Sequence, residues 1–126
     1  MGVTYDTGAL IAGVRNDRAM WALHAGFLAE EVSPSVPAPV VAEAWRGGSR
    51  QANLARFLAL CTIENMGTDQ AKAVGVLAGK AAHDDVVDVT VVEGALRRRD
   101  AVVTSNPTHI RAIADAVRVR VHIHTI

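Results

Sequence analysis

Short apolar blocks alternate along this chain with longer stretches in which apolar residues recur every three or four positions. Gly2 to Tyr5 (GVTY) is β-prone and ends at Asp6, and TGALIAGV behind it predicts a first helical turn or two. Asp17 is placed to cap a helix through about Glu31, with Met20, Trp21, Leu23, His24, Phe27 and Leu28 as its apolar stripe. SPSVPAPV holds a short second strand near Val36, and Pro39 suits the first turn of a helix carrying Val40, Val41, Glu43, Ala44 and Trp45. Gly47-Gly48 stops that helix, and Ser49 restarts one through Leu60.

CTIENM (61–66) predicts a third strand, and Thr68 with Asp69 opens a helix ending near Gly79. From Asp84 to about Arg98 a further helix is expected on length and context, against the propensity of Val86, Val87, Val89 and Val92. Residues 101–104 predict a fourth strand, Thr108 a cap for a helix to about Ala116, and VRVRVHIH (117–124) alternates like a fifth strand. Strands alternating with helices of this length predict an α/β fold, a three-layer α/β/α sandwich with a central, mostly parallel sheet of four to five strands. One domain over residues 1–126 accommodates all of it, with no internal repeat or low-complexity linker.

Composition narrows the chemistry. Lys+Arg and Asp+Glu balance at 13 each, so any nucleic-acid contact must come from local patches and not from a global field. The single cysteine, Cys61, excludes an intramolecular disulfide and a thiol zinc cluster, and is expected to be a small buried apolar residue. No apolar run approaches a membrane span and no basic-then-apolar leader precedes Val3, so a cytoplasmic protein is expected.

In parallel sheets ligands collect outside the carboxyl ends of the strands, where Asp6 and Asn106 each fall. Taken singly, Asp6 reads equally well as a helix cap and Glu43 as a solvated acid near a helix N-terminus. Asp84 and Asp85 suit a helix first turn. Asp88, inside VVDVTVV, is the acid hardest to explain by solvation, because burying a lone carboxylate is costly. Asp85 and Asp88, three apart, are expected to face one direction. Several acids meeting at a sheet edge repel one another unless a hard divalent ion such as Mg2+ or Mn2+ joins them.

The chain resembles the PIN domain and, within it, the VapC-type toxin ribonucleases of bacterial toxin–antitoxin pairs. YDTGALIAG resembles the family's opening motif and puts the first metal acid on Asp6; VPAPVVAEAWRGG resembles the second, with its acid on Glu43. DDVVDVTVVEGALRRRDAVVTSN is similar to the third and fourth motifs together, giving Asp88 and, at the last acid position, Asn106. Family members usually carry Asp there, and often another acid near Thr108 or His109; all three positions are uncharged here. The resemblance implies metal-dependent hydrolysis of RNA phosphodiesters, with Asp6, Glu43, Asp88 and Asn106 as catalytic residues. Asp6 and Asp88 would hold Mg2+ or Mn2+, with Glu43 acting through water or as a further ligand and Asp85 as a compensating one. Thr7, Arg46, Thr104 and Ser105 would meet substrate. It further implies a homodimer and a cognate antitoxin.

The loss of one carboxylate at Asn106 implies a weaker, Mn2+-preferring site, or a module that binds RNA or antitoxin without efficient cleavage. A phosphatase using Asp6 as nucleophile is disfavoured, because such families place a second acid two residues on and position 8 is Gly. Arg46 and Arg50 flank the diglycine and are candidates for substrate or partner contact. Arg97-Arg98-Arg99 reads first as a solvated helix end and second as a phosphate contact. Arg118 and Arg120 are expected on the exposed face of the last strand, with His122 and His124 sharing a face. Trp21 and Phe27 are assigned to core or subunit interface. His83 and His109 are placed near the acids as surface or hydrogen-bonded side chains ahead of metal ligands, and His122 and His124 are given no catalytic role beyond adventitious metal binding.

Overall fold

The computed structural model describes residues 2–49 and 51–126; Arg50, a candidate contact residue, lies outside the described residues. Strands β1 (Val3–Tyr5), β2 (Ser35–Pro37), β3 (Thr62–Glu64), β4 (Ala101–Thr104) and β5 (Ile123–Thr125) form one sheet in the order β3-β2-β1-β4-β5. All neighbours pair in parallel: Thr4 lies beside Ser35 on one side and Val102 on the other, and Val103 pairs with His124. The helices between them are α1 (Thr7–Val14), α2 (Arg18–Ala29), α3 (Ala38–Ala44), α4 (Gln51–Leu58), α5 (Thr68–Ala81), α6 (Val86–Arg98) and α7 (Pro107–Ala116).

From β1 the chain steps outward through β2 and β3, then crosses back to β4 and β5 on the other side. Right-handed crossovers therefore put the helices of the two halves on opposite faces. Accordingly α1 packs with α2, α3 and α4, while α5, α6 and α7 pack with one another. This is the three-layer sandwich that the sequence predicts. The strand order reverses between β1 and β4, and the crevice this opens at their carboxyl ends is where such sheets bind ligands.

Burial explains the valine-rich helix. Val89, Val91 and Val92 of α6 are fully buried against β1, β2 and β4, so packing overrides their modest helix propensity. On the other face His24 stacks on Phe57 at 4.2 Å and its Nδ1 lies 2.9 Å from the Tyr5 hydroxyl. Burial lowers the His24 pKa, so the core holds it neutral. Trp21 and Phe27 pack against the edge of this core, as expected, and Cys61 is half-buried with its thiol pushed up to about 12 by burial.

Several boundaries differ from expectation. The predicted fifth strand shrinks to Ile123–Thr125. Val117 ends α7, and Arg118 turns the backbone left-handed (φ 57°) so that Val119 N–H returns to the Ala114 carbonyl. Arg118 and Arg120 are thus exposed on a helix exit and the segment after it, not on a strand. The α7 cap position is held by Asn106, with Pro107 at the first helical position, and not by Thr108. Likewise α6 begins at Val86 because Asp85 is its N-cap. The third strand spans only Thr62–Glu64, and α4 runs from Gln51 to Leu58 instead of from Ser49 to Leu60. Gly47 and Gly48 do break the chain, at φ 75° and 86°.

Candidate functional site

Asp6 is the residue on which the carboxyl end of the sheet turns. It follows β1 directly, caps α1 through the Ala9 N–H (3.0 Å to Oδ1), and is only 5 % exposed. Burial pushes its carboxyl above the ordinary carboxylate range, and the charge of Asp88 adds to the rise. Hydrogen bonds from the Thr104 hydroxyl and the Ala9 and Gly8 amides act in the opposite sense. The expected cap and the expected functional acid are therefore the same side chain. Gly8 is required here, because a Cβ would strike the Ser105 side chain and lie 3.3 Å from Asp6 Oδ1. The absence of a side chain lets the first turn of α1 press against the β4–α7 turn.

Asp88 reaches the same place from the other face, in the first turn of α6. Its charge is felt at Asp6, where it helps to raise the carboxyl. Glu43 stands one residue removed: its Oε1 accepts from the Thr7 hydroxyl at 2.5 Å, and Thr7 follows Asp6. Thr7 therefore ties the exposed Glu43 of α3 to the start of α1. Asp85 spends its Oδ1 on the Val87 and Asp88 amides, at 3.0 and 3.2 Å. It fixes the helix that carries Asp88 and faces that helix's own amides, so its expected compensating ligation has no support in the geometry.

Thr104 is fully buried, accepts the Asn106 N–H at 2.8 Å and hydrogen-bonds Asp6. Its expected substrate contact is corrected: it ties the Asn106 turn to the buried acid and cannot touch a strand of RNA. Ser105 and Asn106 are exposed on that turn. Arg46 is exposed on the rim, its guanidinium donating to the Ala42 and Trp45 carbonyls. With Glu43, Arg15 and Ile11 it lines a cleft of about 530 Å3, to which Asp6 and Asp88 do not contribute. A second cavity, of about 650 Å3, lies elsewhere, among Arg99, Asp100, Arg111, Asp115 and Arg120.

The basic run also needs correction. Arg97 binds Glu64 (2.6 Å) and Glu93 (2.9 Å), and Arg98 binds Asp100 at 3.0 Å and approaches Glu64 at 2.6 Å. Two of the three arginines are structural ties between α6 and the strands, and Arg99 is the exposed left-handed cap.

Two histidines complete the site. His83 Nε2 and His109 Nδ1 each lie 3.4 Å from Asp88 Oδ2, and Asn106 Nδ2 is 3.0 Å from His109 Nδ1. Among the described residues no Lys or Arg pairs with Asp6, Asp88 or Glu43. A buried carboxylate and a half-buried one facing each other without a cation are what a divalent ion would neutralise. The carboxylates of Asp6 and Asp88 have the donor chemistry for such an ion, while the ligand atoms that gather within 4.8 Å of one another among the described residues are those of His83, Asp88 and His109.

No protein-family model matches this chain, and no curated protein sequence matches it. Its fold does match solved structures. One is a chain of VapBC2 from Rickettsia felis bound to a DNA fragment from their promoter, with a TM-score of 0.76 at 14 % identity over 100 % of this chain and 99 % of that one. Another is a chain of FitAB bound to a DNA fragment, with a TM-score of 0.67 at 18 % identity over 98 % and 94 % of the two chains. At these identities the likeness is one of fold. No helix among the described residues is long and apolar enough to cross a membrane.

Proposed function

We propose that this chain is a metal-dependent endoribonuclease of the VapC-like toxin type. The observation that carries the reading is Asp6: a buried acid at the carboxyl edge of β1 that feels the charge of Asp88 and pairs with no Lys or Arg among the described residues. A bound Mg2+ or Mn2+ would supply charge for the scissile phosphate and a more acidic water. Asp6 and Asp88 would hold it, Glu43 would act through water, and Arg46 would meet the RNA backbone from the rim cleft. Metal-titrated protein incubated with structured RNA is the test. Cleavage must require the ion and disappear in Asp6→Asn and Asp88→Asn variants; cleavage that persists in both refutes the proposal.

A second reading has an observation of its own. Asn106 contributes no charge and its amide is engaged with His109; on this reading the site lacks what efficient cleavage needs and the chain is a module that binds RNA or an antitoxin. Asn106→Asp separates the two: a silent protein that becomes an active nuclease is a degenerate site. A cognate antitoxin, a homodimer and a cytoplasmic setting belong to either reading, and the VapBC2 likeness supports the first of these.

A further inference from the structure

We infer that His83, Asp88 and His109 form a mixed imidazole–carboxylate site for a borderline transition-metal ion of the Zn2+ or Co2+ kind, in preference to Mg2+. The inference rests on reading this edge as a cation site and names what the cation is. Each of the three residues offers a ligand atom within 4.8 Å of the other two. The His83 and His109 nitrogens both face one oxygen, Asp88 Oδ2, at 3.4 Å. That is long for a charge-assisted hydrogen bond. It is close to the edge of a tetrahedron with metal–ligand bonds of about 2.0–2.1 Å, whose ligand atoms stand about 3.4 Å apart. The pair distances therefore suit atoms arranged around a shared centre.

The backbone supplies the three ligands from three helix ends. His83 follows Ala82, whose left-handed turn (φ 48°) closes α5 by returning the His83 N–H to the Ala78 carbonyl at 3.1 Å. Asp88 sits in the first turn of α6 behind the Asp85 cap, and His109 in the first turn of α7 behind Pro107. Helices α5, α6 and α7 pack on one another; Asp88 and His109 sit in first turns of α6 and α7, and His83 stands in the short loop between α5 and α6, tied back to α5 by its backbone N–H. His83 and Asp88 are half-buried while His109 is exposed, which leaves an open side toward solvent. Asn106 Nδ2 touches the His109 nitrogen that would bind metal; turning its amide over presents Oδ1 instead. Imidazole suits Zn2+, Co2+ and similar ions, whereas Mg2+ favours an all-oxygen octahedron.

Co2+ is the probe, added to the chelator-stripped full chain and followed by its visible d–d absorption, with Zn2+ and Mg2+ as competitors. One equivalent should bind, Zn2+ should displace it, and a tenfold excess of Mg2+ should not. His83→Ala and His109→Ala should each weaken Co2+ binding by about tenfold or more. A His122→Ala/His124→Ala variant should keep it, because those rings form a separate pair. Equal competition by Mg2+, undiminished binding in the His83 and His109 variants, or a signal that vanishes with His122 and His124 would each overturn the inference. The His109 side chain is 53 % exposed, so His109→Asn keeps the question open to measurement should His83→Ala not fold. Bound Co2+ without any RNA cleavage would remove the nuclease proposal and leave this one standing, and Mg2+-driven cleavage indifferent to both histidines would do the reverse.

Discussion

Two groups of acids, both gathered around α6, show how differently one fold treats carboxylates. Around its C-terminal turns Glu64, Glu93 and Asp100 share the guanidinium groups of Arg97 and Arg98, and Asp100 also accepts the Thr4 hydroxyl at 2.8 Å. The hydrogen bond from Arg97 leads in holding the Glu64 carboxyl down at about 2, with Arg98 assisting against the cost of burial. At the N-terminal turn Asp88 faces two imidazoles and buried Asp6, whose carboxyl is pushed up by desolvation. Asp6 and Asp100 are almost equally hidden, at 5 % and 8 % exposure. Burial alone therefore does not distinguish them; the partner does. A matched acid stabilises the fold, whereas an unmatched one costs stability and is retained for what it can bind.

The largest effect should come from the unmatched acid, and in activity rather than stability. Asp6→Asn keeps an N-cap side chain able to accept the Ala9 N–H, and removes the charge that burial and Asp88 disfavour. RNA cleavage should fall by about a hundredfold or more while the chemical-denaturation midpoint of the metal-free protein stays level or rises. A large fall in that midpoint would break the comparison, because Asp6 would then be a stabilising acid like Asp100. The matched acid should give the mirror result. Asp100→Ala leaves the Thr4 hydroxyl without its acceptor and takes one of two carboxylates from the Arg98 guanidinium, which keeps Glu64, and should cost about 2 kcal/mol of unfolding free energy by urea titration. Co2+ binding by the folded fraction should be unchanged.

Asn106→Asp sharpens the contrast from the other side by adding a third unmatched acid. Its carboxylate would stand where the amide now lies 3.0 Å from His109 Nδ1. Divalent-metal affinity should rise about tenfold, the value of one more anionic donor within reach, as read by calorimetry. The position is exposed, so the thermal midpoint of the metal-free protein should move little. Unchanged affinity would place residue 106 outside the cation's reach.

Much of this was readable in the residues. The strands ending at Tyr5, Val36–Pro37 and Thr104 are marked by apolar runs that stop at Asp6, Ala38-Pro39 and Ser105, and the parallel order follows from the helices between them. Asp88 stood out because an acid in apolar surroundings needs a reason, and Asp6 because it follows the first strand inside the motif YDTGALIAG. The misread fifth strand has a physical cause. Val117 and Val121 do pack on the core, which satisfies the alternation, but a strand needs a paired neighbour, and Arg118 diverts the backbone first. No Gly or Asn announced that left-handed turn. His83 and His109 carried no spacing signal, since one lies in the loop after α5 and the other in α7, and they meet only through the packing of α5, α6 and α7. The structural arginines hid for the same reason: Arg97 and Glu64 are far apart in sequence.

The smallest effect tests the matched end by pH. The folded-state pKa of Glu64 lies below its ordinary 4.5, at about 2, so the folded protein binds fewer protons than the unfolded chain between those values. The stabilisation is complete above about pH 4.5 and drains away as pH falls toward about 2. Glu64 and Arg97 are partly open to solvent, so the pairing is worth about 1 kcal/mol and not the full electrostatic shift. Glu64→Gln should therefore lower stability at neutral pH by about that amount and flatten the acid limb of a stability–pH curve measured by denaturant titration. Added salt should shrink the difference between wild type and variant, as expected for a screened pair. A Glu64→Gln curve parallel to wild type through that window would mean that the arginines are held by Glu93 and Asp100 alone. The matched end would then be a smaller structure than its geometry implies.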